Sequence, residues 1–429
     1  MAKVTFDIHH LARVEGHGNL LVEVTDKGRS RVEMQVTEGT RLFESFLKGQ
    51  AYNEVSHIMS RICGICSHSH AIAAIRGVEA ALEVQPSEET IALRKLMLIG
   101  DMLESHALHI NFLALPDYLQ AQNVVEMLPK YPNEVKRALQ LKKLGNDLME
   151  LIGGRHTHPL CAVVGGFTHV PTSSQLHAIR KRLHDAIPEA KAQIQLMSTF
   201  SEPKLVRKSQ YLAVKHAREY PIYNGELTTD LGLQVPDKEY QNLIIERNVP
   251  YGHAKFSEIQ GNPFVVGALA RLNVAKKQLS DNAKDMVKKI GLKLPSYDSF
   301  HMNLGQAIEY LHYVDHAIEI IDKLRSHKLQ PHVVEYKIRA RTGAAAVEAP
   351  RGVLIHSYSF NAQGKVQAAD VITPTAMNYA NIEADVYALV PELSELSKEE
   401  AELRLNMLIR AYDPCISCSV HYLRPVRPL

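Results

Sequence analysis

The chain has 429 residues, 45% of them hydrophobic and 22% charged, which is ample for a large packed core and long enough for two or three domains. A formal net charge of +2 gives no electrostatic case for nucleic acid or an anionic membrane surface, and no run of about 18 apolar residues marks a membrane span. Five cysteines in so long a chain suit a reducing compartment better than a secreted disulfide scaffold. The start, Met1-Ala2-Lys3-Val4-Thr5, lacks the basic segment and apolar stretch of a signal peptide, so a cytoplasmic location is expected.

In chain order, residues 18–37 read as strands. Leu20, Leu21, Val22 and Val24, then Val32, Met34 and Val36, partly alternate with polar residues around an Asp26-Lys27-Gly28 turn. Helical spacing of Leu, Met, Ala and Ile runs from Glu88 to Leu115, and Pro116 follows. Similar patterns occupy 131–153, 174–200, 262–291, 303–328 and 376–412, with short β-like stretches near 203–235 and 333–367. Gly/Pro punctuation at 153–171, 250–263 and 342–352 marks loops. With no repeat and no low-complexity linker, the pattern predicts one mainly α domain over 1–429 with peripheral β-sheet, an α+β fold. Within it, 1–70 carries the amino-terminal sheet and first cysteine pair, 71–330 a long-helix bundle core, 331–421 the second cysteine pair, and 422–429 a tail.

The chemistry is concentrated in four cysteines. Cys63-Gly64-Ile65-Cys66 lies near the amino end and Cys415-Ile416-Ser417-Cys418 near the carboxyl end. CxxC spacing lets both sulfurs of a turn face one ion, and thiolates select soft or borderline metals such as zinc, nickel or iron–sulfur clusters. Either pair alone reads as structural zinc or a redox disulfide. A zinc ribbon keeps its pairs a few tens of residues apart; here a shared site would join the two ends of the fold, which suits a buried catalytic metal. Cys161 has no partner nearby in sequence and reads as a small buried hydrophobe.

Arg13-Val14-Glu15-Gly16-His17, the Arg61-Ile62-Cys63-Gly64-Ile65-Cys66 segment and Asp413-Pro414-Cys415 through Cys418 to His421 together resemble the large subunit of [NiFe] hydrogenases. So do Gly165-Gly166, Glu348-Ala349-Pro350-Arg351-Gly352 and Val371-Ile372-Thr373-Pro374-Thr375-Ala376-Met377-Asn378. These matches span the chain in order, and the ending resembles the cytoplasmic, multi-subunit group that includes sulfhydrogenases and NAD(P)-linked enzymes. The resemblance implies that Cys63 and Cys415 are terminal thiolates on nickel, while Cys66 and Cys418 bridge nickel to an iron carrying one carbon monoxide and two cyanides. Hydrogen splits heterolytically, so a base must take the proton.

By the same resemblance Glu15 is the first proton carrier, receiving from Cys415; its plain alternative is an ion-paired glutamate at a strand start. Arg351, beside Pro350, would hang over the open metal position and donate to a cyanide or polarise hydrogen, rather than serve as a loop arginine. Thr375 would bind the second cyanide or simply cap a turn. His70 would tune a bridging sulfur, where an ordinary core histidine is the default. Asp413 would pair with the arginine. The family often places another aspartate in the helix after the first cysteine pair, where this chain has Glu104-Ser105-His106. Glu44 and His421, with the carbonyl of Val371, resemble the ligands of a separate Mg2+ or Fe2+ ion.

Neither GxGxxG, Walker loop nor further cluster motif is present, so no iron–sulfur cluster or flavin is expected in this chain. Electrons would leave through an iron–sulfur small subunit, and diaphorase-type flavin/iron–sulfur subunits would follow, towards a soluble acceptor such as NAD(P) or ferredoxin. Removal of the tail after His421 by a maturation endopeptidase is a further expectation. The rival readings are the quinone-site subunit of respiratory complex I, whose family lacks the four cysteines, a zinc-stabilised helical scaffold, and a hydrogen-sensing relative with the same site residues.

Overall fold

The computed structural model describes residues 4–24, 30–200, 203–325 and 328–420. Its longer helices are α1 (Ser67–Leu82), α2 (Glu88–Leu108), α3 (Pro132–Gly153), α4 (Ser173–Thr199), α5 (Ala268–Ala275), α6 (His301–Leu324), α7 (Pro374–Leu393) and α8 (Lys398–Ala411). Local signals set their starts. Ser87 Oγ accepts from Thr90 N–H ahead of Glu88 and Glu89 in α2, and Thr172–Gln175 and Ser397–Glu400 form reciprocal capping boxes for α4 and α8. α2 packs along α3, and α6 lies between α2 and α4. Leu96, Met97, Leu103, Leu148, Leu183, Ile308 and Leu311 fill the interior of this bundle.

Of the five sheets among the described residues, three frame the site. β1 (Val4–Ile8), β2 (Gly18–Val24) and β3 (Ser30–Val36) form an antiparallel meander, whose Leu20, Val22 and Met34 share an apolar cluster with residues of α7 and α8. β4 (Gln210–Lys215), β5 (Glu226–Thr229), β6 (Gln234–Pro236) and β7 (Phe264–Val265) make a mixed sheet in the order β7-β4-β5-β6. β8 (Thr342–Ala349), β9 (Gly352–Phe360) and β10 (Val366–Ile372) form a second meander. β8 and β9 are buried almost throughout because they pack on α1. Gly343 permits that contact, since a Cβ there would collide with the backbone of Ala80 and Ala81.

Several boundaries differ from those expected. The 262–291 pattern breaks into β7, α5 and a helix at Asp281–Lys289 started by Ser280. The 376–412 pattern splits into α7 and α8 at Ser397, whose cap starts a new helix. The helical run expected to stop at Pro116 continues: after Leu108 it passes through a π-helical segment, His109–Ala114, into Leu115–Tyr118. Pro116 sits in the first turn there, where a missing N–H costs nothing. β1 lies outside the expected strand region. Among the described residues no helix is long and apolar enough to cross a membrane.

Candidate metal centre

The two cysteine pairs converge. The Sγ atoms of Cys63, Cys66, Cys415 and Cys418 lie within 4.8 Å of one another and all four residues are buried. Across the two motifs, Cys63 meets Cys415 at 3.5 Å and Cys66 meets Cys418 at 3.7 Å, while the sulfurs of Cys415 and Cys418 touch. Cys63 Sγ accepts from the N–H groups of Ile65 and Cys66, both at 3.3 Å. Hydrogen bonding from Cys66 holds the Cys63 thiol below its ordinary value against the cost of burial, and the charge of Arg351 helps. Hydrogen bonding with Cys63, and then burial, push the Cys66 thiol up. Cys161 stands apart from this cluster, buried beside Gly154.

Each pair is held by its own device. Cys66 immediately precedes α1. The carboxyl-terminal pair follows α8 and is pinned by the segment around Glu15: Ile416 N–H donates to the Glu15 carbonyl at 2.9 Å, and Ser417 N–H to Glu15 Oε2 at 3.1 Å. Gly16, with φ +86°, makes this seam possible, because a Cβ would lie 2.8 Å from both Ile416 Cβ and Ser417 N. Glu15 Oε2 is also 3.1 Å from Cys415 Sγ. The half-buried Glu15 thus joins the sulfur site to the outer part of the protein.

Above the sulfurs lies a small cavity, about 10 Å³, lined by Cys66, His70, Ala349, Arg351, Leu354, Pro374, Thr375, Cys415 and Cys418. Arg351 reaches it from the two-residue turn between β8 and β9. Its Nε donates to the Asp413 carbonyl at 2.8 Å and its Nη2 to Asp413 Oδ1 at 3.0 Å. Nη1 is buried without a partner. A buried guanidinium N–H aimed at nothing is costly unless an acceptor binds there. Pro350 contributes through its backbone: its carbonyl accepts from Arg271 Nη2 at 3.0 Å. Arg271 in turn pairs with Glu309 at 2.6 Å and Glu348 at 2.8 Å, a buried brace under the turn that sequence reading did not single out.

Thr375 Oγ1, in the first turn of α7, accepts from Cys415 N–H at 2.9 Å, leaving its own O–H to donate. His70 Nδ1 lies 3.1 Å from His356 Nε2, and His356 Nδ1 lies 2.6 Å from Tyr358 Oη; the last two partners were invisible in motif spacing. Glu104 does not face this cavity. It turns to α3 and pairs with Lys142 at 2.7 Å, while Ser105 Oγ is buried without a partner and His106 meets Glu309 at 3.0 Å. Asp101, one turn earlier, accepts from Ser69 N–H at 3.1 Å, and burial pushes its carboxyl well up.

Glu44 and Val371 are brought together, through the Val371 N–H, which donates to Glu44 Oε1 at 3.0 Å. Burial pushes the Glu44 carboxyl up to about 8, a penalty that a bound cation would relieve. The Val420 carbonyl is held by Arg41 N–H at 2.6 Å, which ties the last described residue to the segment leading into the short helix Phe43–Phe46 that carries Glu44. His421 and the tail 422–429 lie outside the described residues.

Four convergent cysteines, an unpaired arginine N–H and a small enclosed space make a buried site placed to bind metal. The fold is that of known hydrogenases: over 98% of this chain and 100% of the other, it superposes on an NAD+-reducing [NiFe]-hydrogenase in the H2-reduced state with a TM-score of 0.87 at 23% identity. The nickel-dependent hydrogenase family model matches residues 41–139 and 204–421. Sulfhydrogenase 1 subunit alpha of Pyrococcus furiosus is 36% identical over 420 residues, covering 97% of this chain and 98% of the relative. Sulfhydrogenase 2 subunit alpha of the same organism is 33% identical, covering 97% and 99%. The chain therefore belongs to the nickel-dependent hydrogenase family. It is a hydrogenase catalytic subunit, an oxidoreductase with four cysteines placed to bind metal, and that membership sets aside the complex I and zinc-scaffold readings.

Proposed function

We propose that this chain cleaves and forms H2 at a Ni–Fe(CN)2(CO) centre held by Cys63, Cys66, Cys415 and Cys418. The four sulfurs would hold the centre together, Cys63 lying beside Cys415 and Cys66 beside Cys418. When bound, the centre supplies the polarising metals and the electron sink that heterolytic splitting of H2 requires. The observation that carries the reading is the cavity itself, where four sulfurs converge beneath an arginine N–H that lacks a partner.

The protein's own residues then handle the proton and the diatomic ligands. Glu15 Oε2, 3.1 Å from Cys415 Sγ, is within reach to accept a proton from that sulfur and pass it outward. Arg351, kept charged by Asp413 against the cost of burial, offers Nη1 to the space above the sulfurs, and Asp413 fixes its direction. Thr375 can donate its hydroxyl into the same space. His70, braced by His356, lines the same cavity from α1 and would tune a bound sulfur. Pro350 shapes the turn that presents Arg351. Glu44, the Val371 backbone and His421 are assigned to a separate Mg2+ or Fe2+ ion, for which a buried carboxylate next to the carboxyl-terminal segment is suitable chemistry.

Electrons would pass to an iron–sulfur small subunit, with diaphorase-type flavin subunits beyond it and NAD(P) or ferredoxin as the soluble acceptor, in a cytoplasmic assembly. The names of the relatives, alpha subunits of sulfhydrogenases, support a multi-subunit enzyme. Trimming of 422–429 by an endopeptidase would complete maturation; intact-mass analysis of nickel-loaded protein that still carries Leu429 would refute it. The test of the whole reading is an infrared spectrum of the protein purified with its native partners. Sharp bands from one carbon monoxide and two cyanides are expected, and their absence from a fully metal-loaded sample would overturn it.

A further inference from the structure

Beyond α8 the chain turns sharply. Asp413 has φ +50°, and its N–H donates to the Arg410 carbonyl at 2.8 Å. That same carbonyl lies 2.6 Å from Nε2 of His109. The other ring nitrogen, Nδ1, is 2.5 Å from Oε1 of Gln306 on α6. The orientation of the Gln306 amide is fixed by its second contact, Nε2 donating to Asp413 Oδ2 at 3.0 Å. Reversing it would press an amide oxygen against a carboxylate. Both nitrogens of His109 therefore face oxygens that can only accept. A neutral imidazole carries one N–H; satisfying both contacts takes the cation.

The surroundings suit a buried cation. His109 is 1% exposed, its Nε2 lies 4.0 Å from Asp413 Oδ1, and it meets the carboxyl end of α8, the negative pole of that helix. The nearby charges on the other elements are already matched. Arg351 holds Asp413 from the β8–β9 turn. Asp117, after the π-helical segment, takes Arg13 and Arg410. Glu309 of α6 takes Arg271 of α5 and His106 of α2. The helix also changes to its π-helical form at His109, a local widening common at functional positions.

We propose that His109 is a buried imidazolium that positions Asp413 and, through it, Arg351 over the four-thiolate site. Arg351, Asp413 and His109 then form a row of alternating charge. One carboxylate is held between two cations, and its left-handed turn is pinned at the shared Arg410 carbonyl. His109 is a positioning residue, two contacts removed from the sulfurs. The inference rests on the roles given above to Arg351 and Asp413, so its first test is independent of them.

Neutron diffraction from deuterium-exchanged holoenzyme reads the ring directly. Deuterium on both Nδ1 and Nε2 is expected; deuterium on one nitrogen alone, with the Gln306 amide reversed, overturns the proposal whether or not the hydrogenase roles hold. The second test is His109→Gln in the assembled enzyme, which keeps a hydrogen-bonding side chain and removes the charge. Its kcat should fall roughly tenfold or more, with the KM for H2 changed less than about twofold, and its carbon monoxide and cyanide bands should shift. Wild-type kcat and bands at full nickel and iron content would overturn the positioning role. Should that variant load no metal, the neutron result still decides.

Discussion

Glu15 and Cys415 stand 400 residues apart in the chain, yet the carboxylate of one lies 3.1 Å from the sulfur of the other. They also pair through their backbones as an isolated parallel bridge. The backbone contact fixes the distance and places the carboxylate for the proposed role of base. Glu15→Gln keeps the shape and the acceptor for Ser417 N–H but cannot take a proton. H2 oxidation and H2/D+ exchange should fall by about 100-fold or more, with metal content and thermal midpoint unchanged. Wild-type exchange rates in E15Q would move the proton path elsewhere.

Arg351→Lys tests geometry separately from charge. The ammonium can still meet Asp413, but it lacks the planar fork that holds two donors on the aspartate while a third points into the cavity. Turnover should drop by about 10²–10³-fold, measured alongside nickel and iron analysis to separate chemistry from loading. Retention of full turnover by R351K would mean that a point charge suffices there.

The cysteines divide into two groups by position. Substituting any of the four convergent cysteines, Cys63→Ser for example, replaces a soft thiolate with a hard hydroxyl; elemental analysis should show nickel lost from the purified subunit. Cys161→Ser should retain nickel and iron, at a stability cost of about 1 kcal/mol for burying a hydroxyl. Loss of metal in C161S would attach that residue to the site.

Buried histidines predict the direction of acid sensitivity. Burial holds His312 down to about 3, from an ordinary value of 6.5, and its Nδ1 accepts from Ser280 N–H, so the folded state keeps it neutral. The unfolded chain binds a proton there below 6.5, whereas the folded chain does not until near 3. Stability contributed by this group is full above pH 6.5 and is lost as pH falls through that window. Going from pH 6.5 to 5 should cost about 2 kcal/mol for each such histidine. His68, also held near 3 by burial, adds in the same direction. Thermal unfolding midpoints of wild type and His312→Asn across this range check it: the variant should lose less stability on acidification, and a parallel pH dependence would refute the assignment.

The legible part of this protein is what strong chemistry writes locally. Cys63, Cys66, Cys415 and Cys418 declare a thiolate site by spacing, and Arg351 and Glu15 sit in short distinctive segments. The helices with uninterrupted apolar stripes, such as α3 and α4, are readable for the same reason. What spacing cannot supply is who meets whom at long range. His109, Gln306 and Arg271 are scattered polar residues on otherwise apolar helices, and only packing brings them under Asp413 and the β8–β9 turn. The break between α7 and α8 was missed because the apolar period continues across it, while the capping box at Ser397 carries the interruption. Glu104 stands in the stretch where the family often carries an aspartate, and helical phase points it towards Lys142.

The seam at Gly16 has a consequence for how the subunit is made. A ribosome adding ~5–20 residues per second releases Glu15 and the first cysteine pair tens of seconds before Cys415 and Cys418 emerge. During that interval the nascent chain holds only half of the thiol set. A centre on all four thiols can therefore be completed only after Cys418 has been made. A chain stopped just before Cys415 would carry nearly all of the described fold and only half of the thiol set.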